Sequence, residues 1–329
     1  MGQALRVTFG ETVSEMAETD PRIVVLDGDL GNSTRADIFE EAHPDRFFQM
    51  GIAEQNMLGV AAGMATLGLI PFVSSLACFA VARSLDSTRV LIAQPNLSVK
   101  IIGGYSGLLA GMTGKTHLIF DDISVMRAMA NMTVVSPADD TETRQALHAI
   151  VEHEGPVYVR LTRQPSPRIF DSDYDFDLRN AVVVREGSDI TMISTGVQTT
   201  RVLEAAAILA GDGVDAHVLH VPTIKPIDVE AVVAAAERTG FVSSVEEHTV
   251  VGGLGGAVAE ILAQHSPTPM RLLGIWVSFG ESAPVEALLV EYRLASGQVA
   301  AVVGECLGTS PAGPGGLRGG SGRVGGALR

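Results

Sequence analysis

Apolar and polar positions along the chain fall into an alternation of strand-like and helix-like segments. Arg22–Leu30 (RIVVLDGDL) is an apolar run that ends in a turn, which predicts a parallel strand. Ala53–Gly68 carries no charge after Glu54 and predicts a helix buried nearly all round. Ile70–Ala77 predicts a strand, and Val81–Pro95 a helix stopped by its proline. Leu97–Tyr105 and Met132–Asp139 predict two further strands. Asp140–Gly155 has an N-cap candidate and a glycine stop and predicts a helix, and Pro156–Arg163 closes the block as a strand.

The alternation then repeats on a smaller scale. Asp189–Gly196, Val214–Val221, Phe241–His248 and Met270–Val277 predict strands. Val197–Gly213, Asp228–Gly240 and Gly252–His265 predict helices between them. The fold class is therefore α/β, as two doubly wound domains at 1–165 and 181–306. The Pro- and Asp-rich run Gln164–Leu178 sets a linker over 166–180. The Gly-, Pro- and Arg-rich tail 307–329 has no pattern and is expected to be disordered.

Composition narrows the function. The chain has 329 residues and a formal charge of −15, with no Lys/Arg run before the tail, which argues against a nucleic-acid partner. Cys78 and Cys306 are far apart and lack metal spacing, so a reducing cytoplasm is the expected location. The N-terminus is too polar and acidic for a signal peptide, and Arg6 breaks the myristoylation pattern. Every long apolar stretch is interrupted by Gly, Pro or Ser, so no membrane span is expected.

Glu54 is the candidate for chemistry. A carboxylate at the head of an uncharged helix either complements the helix dipole or is a buried acid with a raised pKa. The stretch GIAEQNMLGVAAGMATLGLIPFVSSLACF around it resembles the pyrimidine-binding domain of transketolases, a family of thiamine diphosphate enzymes. The resemblance implies that Glu54 hydrogen-bonds N1′ of the cofactor's aminopyrimidine and that Phe79 stacks on that ring. Read without it, Phe79 is a core aromatic.

The segment AGMTGKTHLIFDDISVMRAMANMTVVSPADD resembles the family stretch whose histidine faces the reacting carbon, which gives His117 a catalytic and substrate-binding role beside Glu54. Arg163, in VYVRLTRQ, matches the family arginine that binds a sugar-phosphate end; otherwise it is a strand-end surface arginine. In LDGDLGNST, Asp29 matches a residue near the cofactor and Ser33 one near the substrate phosphate. Two positions depart from the family pattern. Thr113 replaces an aspartate that reads sugar hydroxyls, and Tyr105 replaces a histidine that contacts the donor, so the substrate is expected to be unusual. Lys115 either pairs with an anionic substrate or is a solvated loop lysine.

Gly28-Asp29 with Asn56 imitates a diphosphate and Mg²⁺ motif, but Leu30 stands where its second glycine belongs, and no metal ligand is assigned. Gly252–Glu260 does not fit a nucleotide fingerprint, and Glu247 and His248 read as structural or interfacial.

The resemblance covers the pyrimidine and C-terminal domains but not the domain that grips the diphosphate. It implies the second subunit of a split transketolase, active only in a heteromer, α2β2, with a diphosphate-binding partner. That partner would hold most of the contacts to Mg²⁺ or Ca²⁺. The implied reaction moves a two-carbon ketol unit from a ketose to an aldehyde. The alternatives are a 2-oxo-acid dehydrogenase β subunit, a deoxyxylulose-phosphate-synthase-like enzyme, or a non-catalytic scaffold.

Overall fold

The computed structural model describes residues 1–308. A seven-stranded sheet is built from β1 (Ile23–Asp27), β2 (Phe47–Gln49), β3 (Ile70–Leu76), β4 (Lys100–Gly104), β5 (Thr133–Val135), β6 (Val157–Arg160) and a late strand, β10 (Thr223–Lys225). Its order is β10-β5-β6-β4-β3-β1-β2. The first six strands pair in parallel and β10 pairs antiparallel with β5. A second sheet, in the order β12-β11-β8-β9-β7, contains β7 (Val182–Arg185), β8 (Ile190–Ser194), β9 (Ala216–His220), β11 (Val242–Thr249) and β12 (Met270–Ile275). Only its edge strand β7 is antiparallel. Strands β1, β3, β4, β6, β8, β9 and β11 are buried at every residue, as sheets covered on both faces require.

The helices predicted at Asp140, Val197, Asp228 and Gly252 form as Asp140–Glu152, Gln198–Gly211, Val229–Thr239 and Leu254–His265. Asp139 caps the first by accepting Glu142 N at 2.9 Å, and Asp228 caps the third through Ala231 N at 2.9 Å.

The structure corrects three expectations. Val81–Pro95 is not one regular helix: wide π-helical turns at Cys78–Arg83 and Thr88–Ala93 flank a short α-turn at Leu85–Ser87. Ser84 and Thr88 donate their hydroxyls to carbonyls four residues back, which loosens such turns. The Glu54–Thr66 helix is buried on one face only, through Glu54, Met57, Leu58, Ala61 and Ala62. Gln55, Asn56, Gly63 and Thr66 are exposed, and a side chain at Gly63 would meet nothing within 4 Å. Leu307 ends a helix, Ser296–Leu307, rather than opening the tail. The rest of the expected tail, apart from Gly308, lies outside the described residues. The 166–180 segment, which has no helix or strand, is held to the first sheet's side by Asp139 Oδ2, which accepts Ile169 N at 2.7 Å and Phe170 N at 2.9 Å.

Residues from both halves share a core. Tyr105, Leu108, Leu118 and Phe120 pack with Met192, Val202, Leu273 and Leu288. A helix at Leu5–Thr19, not anticipated from sequence, covers the first sheet through Leu5, Phe9 and Val13. No helix among the described residues is long and apolar enough to cross a membrane.

Candidate active site

Parallel strands deliver their loops to one edge of the first sheet, the edge where α/β proteins bind ligands. Asp29 and Ser33 follow β1, Glu54 follows β2, Phe79 follows β3, Tyr105 follows β4 and Arg163 follows β6. Asp29 and Tyr105 hold left-handed backbone, with φ of 63° and 58°, strained conformations for non-glycine residues at the mouth of a site.

Glu54 is the first residue of its helix and is only 4 % exposed. The acid thus stands at the helix N-terminus, where it complements the helix dipole, and is shielded from water. Arg83 Nη1 donates to Glu54 Oε1 at 2.9 Å, and the guanidinium carbon lies 3.9 Å from the centre of the Phe79 ring. Phe79 meets His117 edge-on with centroids 5.3 Å apart, and Thr116 Oγ1 lies 2.8 Å from His117 Nδ1. Glu54, Phe79 and His117 thus form one contiguous group, with Arg83 joining the first two.

A second group is cationic. The guanidinium carbons of Arg163 and Arg6 lie 5.3 Å and 5.7 Å from the centre of the Tyr105 ring. Arg6 Nη1 donates to the Ser33 carbonyl at 2.7 Å. Arg163 also lines a cavity of about 480 Å³ that Thr200, Arg201 and Val285 close from the second half. The sequence reading used Arg6 only against myristoylation and missed it as a site residue, because it precedes the first predicted strand; its helix carries it back over the β1 loop.

Asp29 stands apart. It is exposed, its amide donates to Gln49 Oε1 at 3.0 Å, and no hydrogen bond to its carboxylate is present among the described residues. The acid that organises this loop is Asp27, which accepts Leu30 N at 2.9 Å, Gly31 N at 3.1 Å and Gln49 Nε2 at 2.9 Å. Burial pushes its pKa up. Asn56 is exposed on the helix surface and Lys115 is exposed in its loop.

Glu247 and His248 belong to the seam between the two sheets. His248 Nε2 accepts Ile123 N at 3.0 Å while Nδ1 contacts the Thr249 carbonyl at 2.7 Å, which fixes the proton on Nδ1. Glu247 faces Arg160 at 3.5 Å, and burial pushes its pKa up to about 7.

A buried carboxylate beside an aromatic face, on an open edge, suits a planar heterocycle that offers one ring nitrogen and one stacking surface. Buried hydroxyls of Ser74 and Ser75 and Asp27 Oδ1, at the same strand ends, have no partner among the described residues. These residues fit the pyrimidine half of thiamine diphosphate. Clustered lysines or arginines for its diphosphate are not among the residues around Glu54.

Residues 2–168 match the family "Transketolase, pyrimidine binding domain", and residues 179–299 match "Transketolase, C-terminal domain". The chain is 41% identical over 295 residues to the 6-deoxy-6-sulfo-D-fructose transketolase subunit SqwH of a Clostridium species, covering 90% of this chain and 92% of that one. It is 39% identical over 273 residues to an apulose-4-phosphate transketolase subunit of Phocaeicola vulgatus, covering 83% and 87%. Human transketolase is 33% identical over 260 residues, which are 78% of this chain and only 41% of the human protein. A solved split-gene transketolase, described as an inactive β4 tetramer, superposes with a TM-score of 0.86 at 41% identity, over 94% of this chain and 100% of that one. The chain therefore belongs to the transketolase family, as a subunit of the split type that carries the pyrimidine-binding and C-terminal domains.

Proposed function

We propose that this chain supplies the pyrimidine half of a thiamine diphosphate site and that a second subunit, carrying the diphosphate grip and most of the contacts to Mg²⁺, completes it in an α2β2 assembly. The carrying observation is Glu54: a nearly dry carboxylate at a helix start, linked through Arg83 to Phe79, which in turn meets His117. Thiamine diphosphate supplies the electron sink that lets a two-carbon ketol unit leave a ketose and join an aldehyde. The chain's own residues hold and orient. Glu54 would offer its carboxyl to a ring nitrogen, Phe79 its face, and His117 a hydrogen bond to substrate oxygens. The exposed small-residue face of the Glu54–Thr66 helix suits burial against the partner.

Arg6, Arg163 and Ser33 around Tyr105 suit a ketose that ends in an anion, since a guanidinium pair matches phosphate or sulfonate oxygens. Two relatives are named for sugars bearing sulfo and phosphate groups, in keeping with this. Tyr105 and Thr113, in place of polyol-reading groups, point to a sugar modified from the common ketose phosphates. The two cysteines are free, which suits a cytoplasmic setting.

Reconstitution with a diphosphate-binding subunit tests the reading, with ketose phosphate plus aldose against pyruvate plus an acceptor. Ketol transfer that Glu54→Gln lowers by about 100-fold or more is expected, the scale of a lost proton-handling group. Turnover untouched by that substitution would leave the chain a scaffold, and activity on pyruvate alone would move it to the 2-oxo-acid branch.

A further inference from the structure

Arg83 does two things at once. Its Nη1 donates to Glu54 at 2.9 Å, and its guanidinium lies on Phe79 at 3.9 Å from the ring centre. These are the two contacts assigned above to the cofactor's aminopyrimidine: a hydrogen bond to the buried carboxylate and a stack on the aromatic face. A guanidinium can imitate that ring because it is planar, delocalised and edged with N–H donors. Arg83 is nevertheless a surface side chain, 48% exposed, while Glu54 is 4% exposed. Its backbone belongs to the wide turn Cys78–Arg83, and Gln55 Nε2 anchors the Arg83 carbonyl at 2.9 Å, so the side chain can leave without disturbing its attachment.

We infer that Arg83 occupies the aminopyrimidine seat in the cofactor-free chain and is displaced when the cofactor enters. The inference rests on the reading of Glu54 and Phe79 as that seat. Two consequences follow from the geometry. With Arg83 in place, Glu54 has a cation beside it and the stacking face is covered. With Arg83 gone, Glu54 is a buried acid without a counter-charge, and its carboxyl is free to meet a ring nitrogen. The arginine thus couples opening of the seat to release of the acid from its counter-charge, and apparent affinity is scaled down to the fraction of chains in which the seat is empty.

The test uses the full chain and 4-amino-5-hydroxymethyl-2-methylpyrimidine, a probe that needs no diphosphate grip, with binding read by NMR titration. Arg83→Met keeps the aliphatic stem and removes the plane and charge. It is expected to tighten the probe about fivefold or more. In the unsubstituted chain, the Arg83 Nε–H resonance is expected to be shifted by the Phe79 ring and to lose that shift as the probe binds. Equal or weaker binding to Arg83→Met, or an Arg83 resonance that the bound probe leaves unmoved, would overturn the inference. Glu54→Ala and Phe79→Ala separate this failure from a failure of the seat. If both abolish probe binding while Arg83→Met gives no gain, only the role of Arg83 falls. If neither weakens it, the seat itself is misassigned and both fall.

Discussion

Tyr158 donates its hydroxyl to Asp122 Oδ2 at 2.7 Å, and Arg160 Nε reaches the same oxygen at 2.9 Å. All three side chains are buried, and Arg160 Nη2 continues to the Glu247 carbonyl at 3.1 Å, so the strand end that leads to Arg163 is pinned to the second sheet. Tyr158→Phe removes one donor and leaves the Asp122–Arg160 pair, at a cost of about 1 kcal/mol. Asp122→Ala removes the acceptor of both donors and leaves the buried guanidinium with Glu247 alone, at an expected cost of about 3 kcal/mol. Urea midpoints should fall in that order; equal losses would show that the ion pair contributes nothing beyond the tyrosine bond.

Lys100 is fully buried, with Nζ donating to Ser98 Oγ at 2.9 Å and to the carbonyls of His153 and Gly155 at 2.8 and 3.0 Å. Burial lowers its pKa from 10.5 to about 7. The unfolded chain then binds a proton that the folded chain lacks between those values, so stability rises with pH across this window, by about 1.4 kcal/mol per unit. Below about pH 7 both states are protonated and the full penalty applies. Lys100→Met removes the slope. The stability difference between variant and parent should shrink steadily from pH 7 upward; a constant difference would show a lysine that stays charged.

Glu247 works with the opposite sign. Its folded pKa is raised from 4.5 to about 7, so the folded chain holds a proton that the unfolded chain has released. Stability falls as pH rises through that window and levels off above it. Glu247→Gln should flatten the fall, so that its stability relative to the parent improves between about pH 5 and 7 and is steady beyond. Parallel pH profiles of the two proteins would refute this.

Arg6 and Arg163 offer a kinetic test of the anionic end. A charged hydrogen bond is worth about 1.5–3 kcal/mol, so Arg6→Met should raise KM for an anionic ketose by about 10-fold or more, with a smaller change in kcat. Arg163→Lys keeps the charge but loses the planar fork and should fall between parent and Arg6→Met. Equal KM effects on a ketose without the anion would place the arginines elsewhere in the reaction.

Local sequence carries the strand and helix alternation of this protein and the motifs of its family. The small-residue helix after Glu54, the frame around His117 and the strand ahead of Arg163 are each written in contiguous residues, because side-chain period and turn chemistry are short-range. Tertiary packing decided the rest. Arg6 reaches Ser33 because the Leu5–Thr19 helix lies across the sheet, and Arg83 reaches Glu54 because wide turns replace a regular helix. Thr223–Lys225 is too short to read as a strand until β5 offers it an edge. Burial of Glu54 was legible as a pattern, but its cation was not. A charge's partner is selected by distance in space, and that distance exists only once strands far apart in the chain stand side by side.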